Sequence, residues 1–278
     1  MKIGIVMVVL NLWDQYTKQA LESIKSKHNL YFVLVDNGST DNTYIEATKL
    51  ISENFHYKRF EKNEGLQKAW NYGINDCFVN HQCDYVFVPN NDVLFQADAI
   101  DNLVDRFEKE RNIVPVDDLS MLDLTNSDLA MVTCMNIVGE CQEPSEIFMK
   151  DPASKKDVAE AEHPDFSAYM INQHSWDLVG EFDEGFFPAY YEDNDYHRRI
   201  KLAGLKAIVL PTSLYYHYGS RTQHQVINKP IVDSSKSHQY FIEKWGGSPE
   251  HSGEVGTRLW PHPFNDEQRS LKWTKQSQ

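Results

Sequence analysis

Three short runs of carboxylate and amide side chains are the strongest candidates for chemistry in this sequence. They are Asp36-Asn-Gly-Ser-Thr-Asp41, Asn90-Asn-Asp92 and Tyr191-Glu-Asp-Asn-Asp195. Oxygen atoms of these types accept hydrogen bonds from nucleobases and sugar hydroxyls, and they bind hard divalent cations. The residue types therefore indicate a polar ligand, a divalent metal ion, or both.

The first run allows two interpretations. Asp36 follows an apolar segment, where a carboxylate can accept a hydrogen bond from a base imide or a ribose hydroxyl. Alternatively, Asp36 closes a turn while Asp41 or Asn42 caps the next helix. The sequence has no glycine-rich phosphate loop of the nicotinamide or P-loop type, so neither of those chemistries is indicated.

The second run places one carboxylate and two carboxamides directly after another apolar segment. Such a group can hold a hard divalent cation together with the phosphate oxygens of a substrate. The alternative is an Asx-turn between a strand and a helix. His217, in Tyr215-Tyr-His-Tyr218, is a candidate additional metal ligand, although a single histidine is more often structural.

The third run lies beside an aromatic segment that contains Phe186-Phe-Pro-Ala-Tyr-Tyr191. A carboxylate that is partly desolvated and close to other negative charges has a raised pKa, which suits a general base. Asp195 precedes Arg198 and Arg199 by three and four residues, the spacing of a helical ion pair. Asp193 or Asn194 can alternatively cap that helix. We predict a structural role for Asp195 and the catalytic role for Asp193.

Strands alternate with helices through the first 110 or so residues. Apolar runs at 3–10, 30–35 and 84–89 predict strands, and helical periodicity follows each of them, with a further helix over 66–78. Further strands are predicted at 129–135, 166–171 and 207–210. This pattern predicts an α/β fold with a mostly parallel sheet, helices on both faces and ligands at the carboxyl ends of the strands.

Two segments lack such a pattern. Residues 140–162 contain seven acidic and three basic side chains with two prolines, so we predict a mobile or irregular excursion over the candidate site. Beyond about residue 222 the periodicity weakens. We predict that residues 223–278 form a C-terminal extension packed on the core.

Composition limits the classes of partner. The 278 residues carry a formal charge of −14, which disfavours non-specific binding to nucleic acid or to anionic membranes. The four cysteines show no spacing typical of zinc or dithiol sites, so we expect reduced thiols in a cytoplasmic protein. The apolar run at 3–10 is too short to cross a bilayer and has no small-residue cleavage site after it.

Taken in order, these motifs resemble the inverting nucleotide-sugar glycosyltransferases of glycosyltransferase family 2, in particular the rhamnosyltransferase-like, non-processive members. The resemblance covers about residues 3–222. It depends on Val9-Leu-Asn11, Val35-Asp-Asn-Gly-Ser-Thr-Asp41, Asn63-Glu-Gly65, Asn71-Tyr-Gly73, Asn90-Asn-Asp92, Gly180-Glu-Phe-Asp183, Phe186-Phe187, Tyr191-Glu-Asp-Asn-Asp195, His217 and Ser220.

The resemblance implies the GT-A fold, a single Rossmann-like sheet flanked by helices. A half that binds the nucleotide sugar would occupy about 1–110, and a half that binds the acceptor about 111–222. The implied roles are base binding by Asp36 with backbone around Val9, nucleotide contacts by Asn63, Gly65, Lys68, Asn90 and Asn91, Mn²⁺ or Mg²⁺ binding by Asp92 and His217, catalysis by Asp193, and acceptor or sugar contacts by Tyr191 and Glu192. Asn90 departs from the family pattern, which has aspartate at that position.

The function implied is metal-dependent, inverting transfer of a single sugar from a nucleotide-diphosphate donor, with a UDP-sugar favoured, to an acceptor hydroxyl. The Gln-x-x-Arg-Trp motif of processive members is absent from the sequence. A glycan, a lipid-linked sugar, a protein and a modified nucleobase in DNA are all open as acceptors. Two alternatives are a sugar-phosphate nucleotidyltransferase and a catalytically inactive protein that binds sugar or nucleotide.

Overall fold

The structure is a computed structural model, and it describes residues 1–111, 128–151, 159–161, 164–219 and 234–248. Nine strands within these residues form one sheet, and helices cover it. The strands are β1 (Lys2–Val9), β2 (Asn29–Asp36), β3 (Phe55–Arg59), β4 (Tyr85–Pro89), β5 (Val93–Phe95), β6 (Leu129–Asn136), β7 (Ala159–Glu160), β8 (Ala168–Asn172) and β9 (Lys206–His217).

The helices follow the predicted periodicity with small shifts of their ends. They are α1 (Lys18–Ser23), α2 (Thr43–Thr48), α3 (Leu66–Asn75), α4 (Ala99–Arg111), α5 (Gln173–Val179), α6 (Glu192–Leu202) and α7 (Ser235–Trp245). A π-helical turn at Trp13–Thr17 precedes α1, and another at Asp76–Asn80 extends α3. A short 3₁₀ helix spans Pro144–Met149.

The strand order is β3-β2-β1-β4-β8-β6-β9-β5, with β7 paired to β9. The strands from β3 to β4 are all parallel. Beyond β4 the sheet is mixed, because β8 runs antiparallel to both β4 and β6, and β5 runs antiparallel to β9. The predicted α/β class with one sheet flanked by helices is confirmed, but the description of the sheet as mostly parallel fits only its first half.

The two faces of the sheet carry separate apolar clusters. On β1, Ile3, Ile5 and Met7 belong to one cluster and Val6 to the other, as expected for a strand covered on both sides. Helix α3 lies very close to β1, since a Cβ atom on Gly73 would be 2.3 Å from the Val6 side chain. This contact holds the last turns of α3 against the middle of β1.

The 3₁₀ helix shows that part of the segment 140–162 is ordered. Ile147 is fully buried and belongs to a third cluster with Leu94, Ile137, Cys141 and Leu214. Residues 144–149 therefore form a packed element, where the sequence predicted a mobile or irregular excursion. Residues 152–158 and 162–163 of that segment lie outside the described residues.

The chain divides into two compact units, Met1–Val232 and Asp233–Gln278. The described part of the second unit is centred on α7, in which Phe241 and Trp245 are buried. The packing of the C-terminal extension on the core stays a prediction. All four cysteines are buried free thiols. Within the described ranges, no helix is both long enough and apolar enough to span a bilayer.

Candidate active site

The carboxyl ends of β1 and β2 lie side by side, with Val9 paired to Asp36 in the register of the two strands. Asp36 is fully buried. The Ser39 backbone N–H donates to its Oδ1 at 2.7 Å and the Tyr57 hydroxyl to its Oδ2 at 2.5 Å. The Asp36 carboxylate thus closes a turn, as one interpretation expected, and it is held as a fixed acceptor at the strand end.

Two residues around Asp36 were not identified from the sequence. Tyr57 and Arg59 come from β3, a half-exposed strand without an apolar run, which explains why sequence periodicity missed it. Arg59 Nε lies 3.8 Å from Asp36 Oδ2, and its guanidinium also stacks over the ring of Tyr44. Burial and the hydrogen bond to Asp36 raise the pKa of the Tyr57 hydroxyl, so it stays a donor at neutral pH.

Asn37 connects this strand end to the loop at 63–65. Its side-chain amide donates to Asn63 Oδ1 at 3.0 Å and to the Gly65 carbonyl at 3.2 Å, and its oxygen accepts from the Glu64 N–H. Gly65 has a φ of +97°, a conformation that glycine adopts readily. The predicted loop beside the strand end is therefore present, and one asparagine organises it.

The ammonium group of Lys68 already forms an ion pair within the protein. Its ammonium group lies 3.0 Å from Glu64 Oε2, one helical turn earlier, and it is partly exposed. Contact with a phosphate would require this ion pair to open or to be shared.

The second polar run, Asn90-Asn-Asp92, follows β4, and its three residues have different surroundings. The Asn90 N–H donates to the Ser167 carbonyl at 2.8 Å, and Asn90 itself is half-buried. Asn91 is buried, and its amide donates to Thr17 Oγ1 at 3.1 Å, before the start of α1. Asn91 thus contributes to packing, and Asp92 is the carboxylate that this run presents beside His217.

Asp92 and His217 are brought together by the pairing of β5 with β9. Val93 pairs with His217, and the Tyr218 N–H donates to the Asp92 carbonyl at 3.0 Å. As a result Asp92 Oδ1 lies 3.1 Å from His217 Nε2, and both side chains are largely buried. These two residues are 125 positions apart in the chain.

The charge balance around His217 favours its protonated form in the absence of a metal ion. Burial acts to lower the pKa of the imidazole, but the hydrogen bond and charge of Asp92, together with the charge of Asp165, raise it overall. Asp165 was not identified from the sequence. It accepts hydrogen bonds from the Tyr215 hydroxyl and the Ser167 N–H.

The Asp92 and His217 pair supplies one carboxylate oxygen and one imidazole nitrogen, donors that suit Mn²⁺ and are acceptable to Mg²⁺. Among the described residues, no group of three or more His, Cys, Asp or Glu side chains is arranged around one metal position. The donor set fits a divalent cation that takes its other ligands from phosphate oxygens and water.

Helix α6 begins at Glu192, directly after two tyrosines in the left-handed region, Tyr190 with φ of +76° and Tyr191 with φ of +69°. Tyr191 is the N-cap residue, so the alternative in which Asp193 or Asn194 caps this helix is wrong. Asp195 is fully buried and its Oδ2 lies 2.9 Å from Arg199 Nε, which confirms the predicted structural ion pair.

The carboxyl group with the raised pKa is that of Glu192. This side chain is buried, and burial together with the charge of Asp193 raises its pKa to about 8, although hydrogen bonds from Gln67 and nearby backbone oppose the shift. The sequence analysis used such an effect to predict the catalytic role for Asp193, whereas the structure places the raised pKa on the neighbouring Glu192. Asp193 is half-buried, and its Oδ1 accepts from the Asn194 N–H at 2.8 Å.

Comparison with known proteins identifies a family profile and a curated relative that match this sequence. Residues 4–129 match the sequence profile described as Glycosyl transferase family 2. A "Galactofuranosyl glycosyltransferase" from Leishmania donovani is 24% identical over 235 residues, an alignment that covers 76% of this chain and 50% of that protein. The chain thus spans about half the length of this curated relative.

Solved structures show the same fold. GalNAc-T7 with UDP, GalNAc and Mn²⁺ has a TM-score of 0.63 at 13% identity, covering 99% of this chain and 54% of that one. S. aureus TarS 1–349 in complex with UDP has a TM-score of 0.53 at 14% identity, covering 90% of this chain and 74% of that one. These similarities confirm the predicted GT-A fold.

Proposed function

We propose that this protein transfers a single sugar from a nucleoside diphosphate donor to an acceptor hydroxyl, with inversion of configuration at the anomeric carbon. The proposal proceeds from its membership of glycosyl transferase family 2, to whose profile residues 4–129 match. The observation that carries the proposal is the buried pair of Asp92 and His217, 3.1 Å apart near the edge where β1, β2 and β4 end. Ligands of α/β sheets bind at such an edge.

The donor would bind across this edge. The Asp36 carboxylate and backbone near Val9 would accept hydrogen bonds from the base, a pattern that favours uracil because it has an imide N–H. Asn63 and Gly65 would border the nucleotide, Asn90 the ribose, and Lys68 the phosphates. Two of the similar structures contain UDP, and this supports a UDP-sugar as donor.

Asp92 and His217 would hold Mn²⁺ or Mg²⁺ against the diphosphate. When bound, the cation neutralises the charge that develops on the leaving group. The net charge of −14 favours a role for a cation, since the protein as a whole repels an anionic donor. Mn²⁺ in the GalNAc-T7 structure supports a divalent ion here.

Asp193 would act as the general base. Its carboxylate would take the proton of the acceptor hydroxyl while that oxygen attacks the anomeric carbon from the face opposite the diphosphate, which inverts the configuration. Glu192 is buried and mostly neutral below pH 8, so the proposed base is its half-buried neighbour Asp193. Tyr191 and Glu192 would line the sugar and acceptor side.

The acceptor is proposed as a glycan or lipid-linked sugar. A modified nucleobase in DNA is less compatible with the negative charge of the chain. Four buried free thiols support a cytoplasmic location, because thiols persist in reducing compartments.

The deciding experiment is incubation with a panel of UDP-sugars and acceptors in Mn²⁺, with UDP release and product configuration measured. We expect UDP release and an inverted product. Formation of pyrophosphate from UTP and a sugar phosphate would instead indicate a nucleotidyltransferase, and UDP binding without turnover of any donor would indicate an inactive binding protein. The Asp193→Asn variant serves as the matched control, since it keeps the shape of the site.

A further inference from the structure

Gln67 is a buried amide that joins two segments more than one hundred residues apart. It is the second residue of α3, is 1% exposed, and follows the loop at 63–65 directly. Its Nε2 donates to the Phe186 carbonyl at 2.7 Å and to Glu192 Oε2 at 3.1 Å. Both amide hydrogens therefore point at the segment that leads into α6.

The backbone repeats this connection. The Leu66 N–H, at the free N-terminal end of α3, donates to the Pro188 carbonyl at 3.1 Å. At Gly65 a Cβ atom would lie 3.1 Å from the Phe187 ring, so the loop approaches the same segment closely. The first turn of α3 and residues 186–192 are thus held together by three hydrogen bonds and one tight contact.

The start of α6 needs such support. Tyr190 and Tyr191 both have positive φ, which is unfavourable for residues with a large side chain. The N-cap Tyr191 makes no side-chain capping bond to the helix. A donor from another element that binds Glu192, the first residue of the helix, therefore stabilises this arrangement.

We propose that Gln67 is a positioning residue for sugar transfer, whose amide fixes the start of α6, and with it Asp193, relative to the loop at 63–65. The proposal rests on the proposed function. A base must lie within about 3 Å of the hydroxyl that it deprotonates, and a misplacement of about 1 Å can lower the rate by up to roughly 100-fold. Asn37 binds the same loop, so the Gln67 amide links the position of Asp193 to the donor end of the site.

The test compares Gln67→Met, which keeps the volume and removes both donors, with Asn75→Leu. Asn75 is an amide on the same helix, and its side chain hydrogen-bonds to Glu181 and Trp176 in the segment before α6. We expect Gln67→Met to lower kcat roughly 10- to 100-fold at saturating donor and acceptor, with the Kd for UDP in Mn²⁺ within about 2-fold of the parent. The Asn75→Leu variant keeps kcat within about 3-fold at a similar loss of thermal stability.

A double-mutant cycle shows whether Gln67 acts through Glu192. In a Glu192→Leu background we expect Gln67→Met to change kcat by less than about 3-fold, because the acceptor on α6 is already absent and only the hydrogen bond to the Phe186 carbonyl is lost. A parental kcat in Gln67→Met, or an equal loss in both backgrounds, would overturn the proposal.

Hydrogen exchange separates this proposal from the proposed function. Amides of residues 186–195 should exchange roughly 10-fold faster in Gln67→Met than in Asn75→Leu, as expected for the loss of hydrogen bonds that hold a segment locally. If the parent protein turned over no UDP-sugar, the proposed function would fail, and equal exchange in the two variants would overturn the positioning role on its own.

Discussion

Glu192 and Asp193 are adjacent in the chain, yet their carboxyl groups lie in different surroundings. Glu192 is buried and accepts from Gln67, whereas Asp193 is half-buried next to it. Since the charge of Asp193 is one cause of the raised pKa of Glu192, the two groups do not ionise independently. This difference supports the proposed proton-accepting role of Asp193, with Glu192 in a supporting role.

Replacing Asp193 with Asn should lower single-turnover transfer by roughly 10²- to 10⁴-fold, because the shape is kept and the proton acceptor is lost. Binding of UDP, measured separately by calorimetry, should change little, since Asp36 and Asp92 are intact. Transfer at the parental rate would place the base elsewhere, with Glu192 as the next candidate.

Asp195→Asn is expected to act through folding. Asp195 and Arg199 are both buried, and loss of one charge leaves the other uncompensated, so we expect the free energy of unfolding to decrease by about 3 kcal/mol. Urea denaturation measures this change. The remaining folded protein should keep a kcat close to that of the parent, and a large loss of kcat in fully folded protein would contradict this assignment.

The raised pKa of Glu192 makes stability depend on pH. Its carboxyl stays protonated in the native state up to about pH 8, while the unfolded chain releases the proton near the ordinary value of 4.5. Between these values the native state binds more protons, so stability falls as pH rises, by roughly 2–4 kcal/mol over the window.

Glu192→Gln removes this titration and keeps an acceptor for Gln67. The variant should therefore lose less stability than the parent between pH 5 and pH 8 in urea denaturation. Other titrating groups are common to both proteins, so the difference between the two curves isolates Glu192. Parallel curves would show that Glu192 ionises normally.

At the scale of elements, the 3₁₀ helix at 144–149 packs beside β5, which follows Asp92, and β9, which ends at His217. Ile147 belongs to one apolar cluster with Leu94 of β5 and Leu214 of β9. Ile147→Ala should lower the free energy of unfolding by about 2–4 kcal/mol, as expected for a cavity in a packed core. Phe148→Ala, at a side chain that is 54% exposed, should change it by about 0.5 kcal/mol or less. Equal effects of the two changes would indicate that the helix is not packed.

The sequence predicts helices and strands well where apolar residues recur with a clear period. It predicts them poorly where a strand forms because its backbone pairs with a neighbouring strand. Continuous apolar runs identified β1, β2 and β4, but β3 has alternating polar residues and forms because its backbone pairs with β2. A strand was predicted over 207–210, whereas β9 continues through Pro211 to His217 with a register shift against β6.

The same limit applies to the site. Asp36, Asp92 and Asp193 were identified because each lies in a dense polar run, but Tyr57, Gln67 and Asp165 are isolated polar residues in unremarkable segments. Their roles come from contacts across 21, 125 and 50 positions, respectively, and a single sequence carries no signal for such distances.

At the scale of the whole molecule, the formal charge of −14 disfavours binding of an anionic donor, and the cation proposed at Asp92 and His217 would offset this repulsion. We therefore expect donor binding to depend on a metal ion. Calorimetry of the Asp92→Ala variant tests this condition. We expect UDP affinity in Mn²⁺ to fall at least 10-fold, to the level that the parent shows in excess chelator. Equal affinity in Asp92→Ala and the parent would contradict the proposed metal position.

Thermal unfolding of the intact chain tests both the metal site and the nucleobase contact in one measurement. A ligand at 100 times its Kd stabilises the native state by about 2.7 kcal/mol, which corresponds to a shift in Tm of roughly 5–10 °C for a chain of this size. We expect UDP to produce this shift in Mn²⁺ and a much smaller one in chelator.

CDP is the matched control for the nucleobase. Cytosine has no imide N–H to donate to the Asp36 carboxylate, so CDP should shift the Tm less than UDP does at equal concentration. Asp36→Ala should remove the difference between the two nucleotides and leave the dependence on Mn²⁺. Equal shifts for UDP and CDP in the parent protein would show that Asp36 does not contact the base, whereas equal shifts with and without metal would contradict the role of Asp92 and His217.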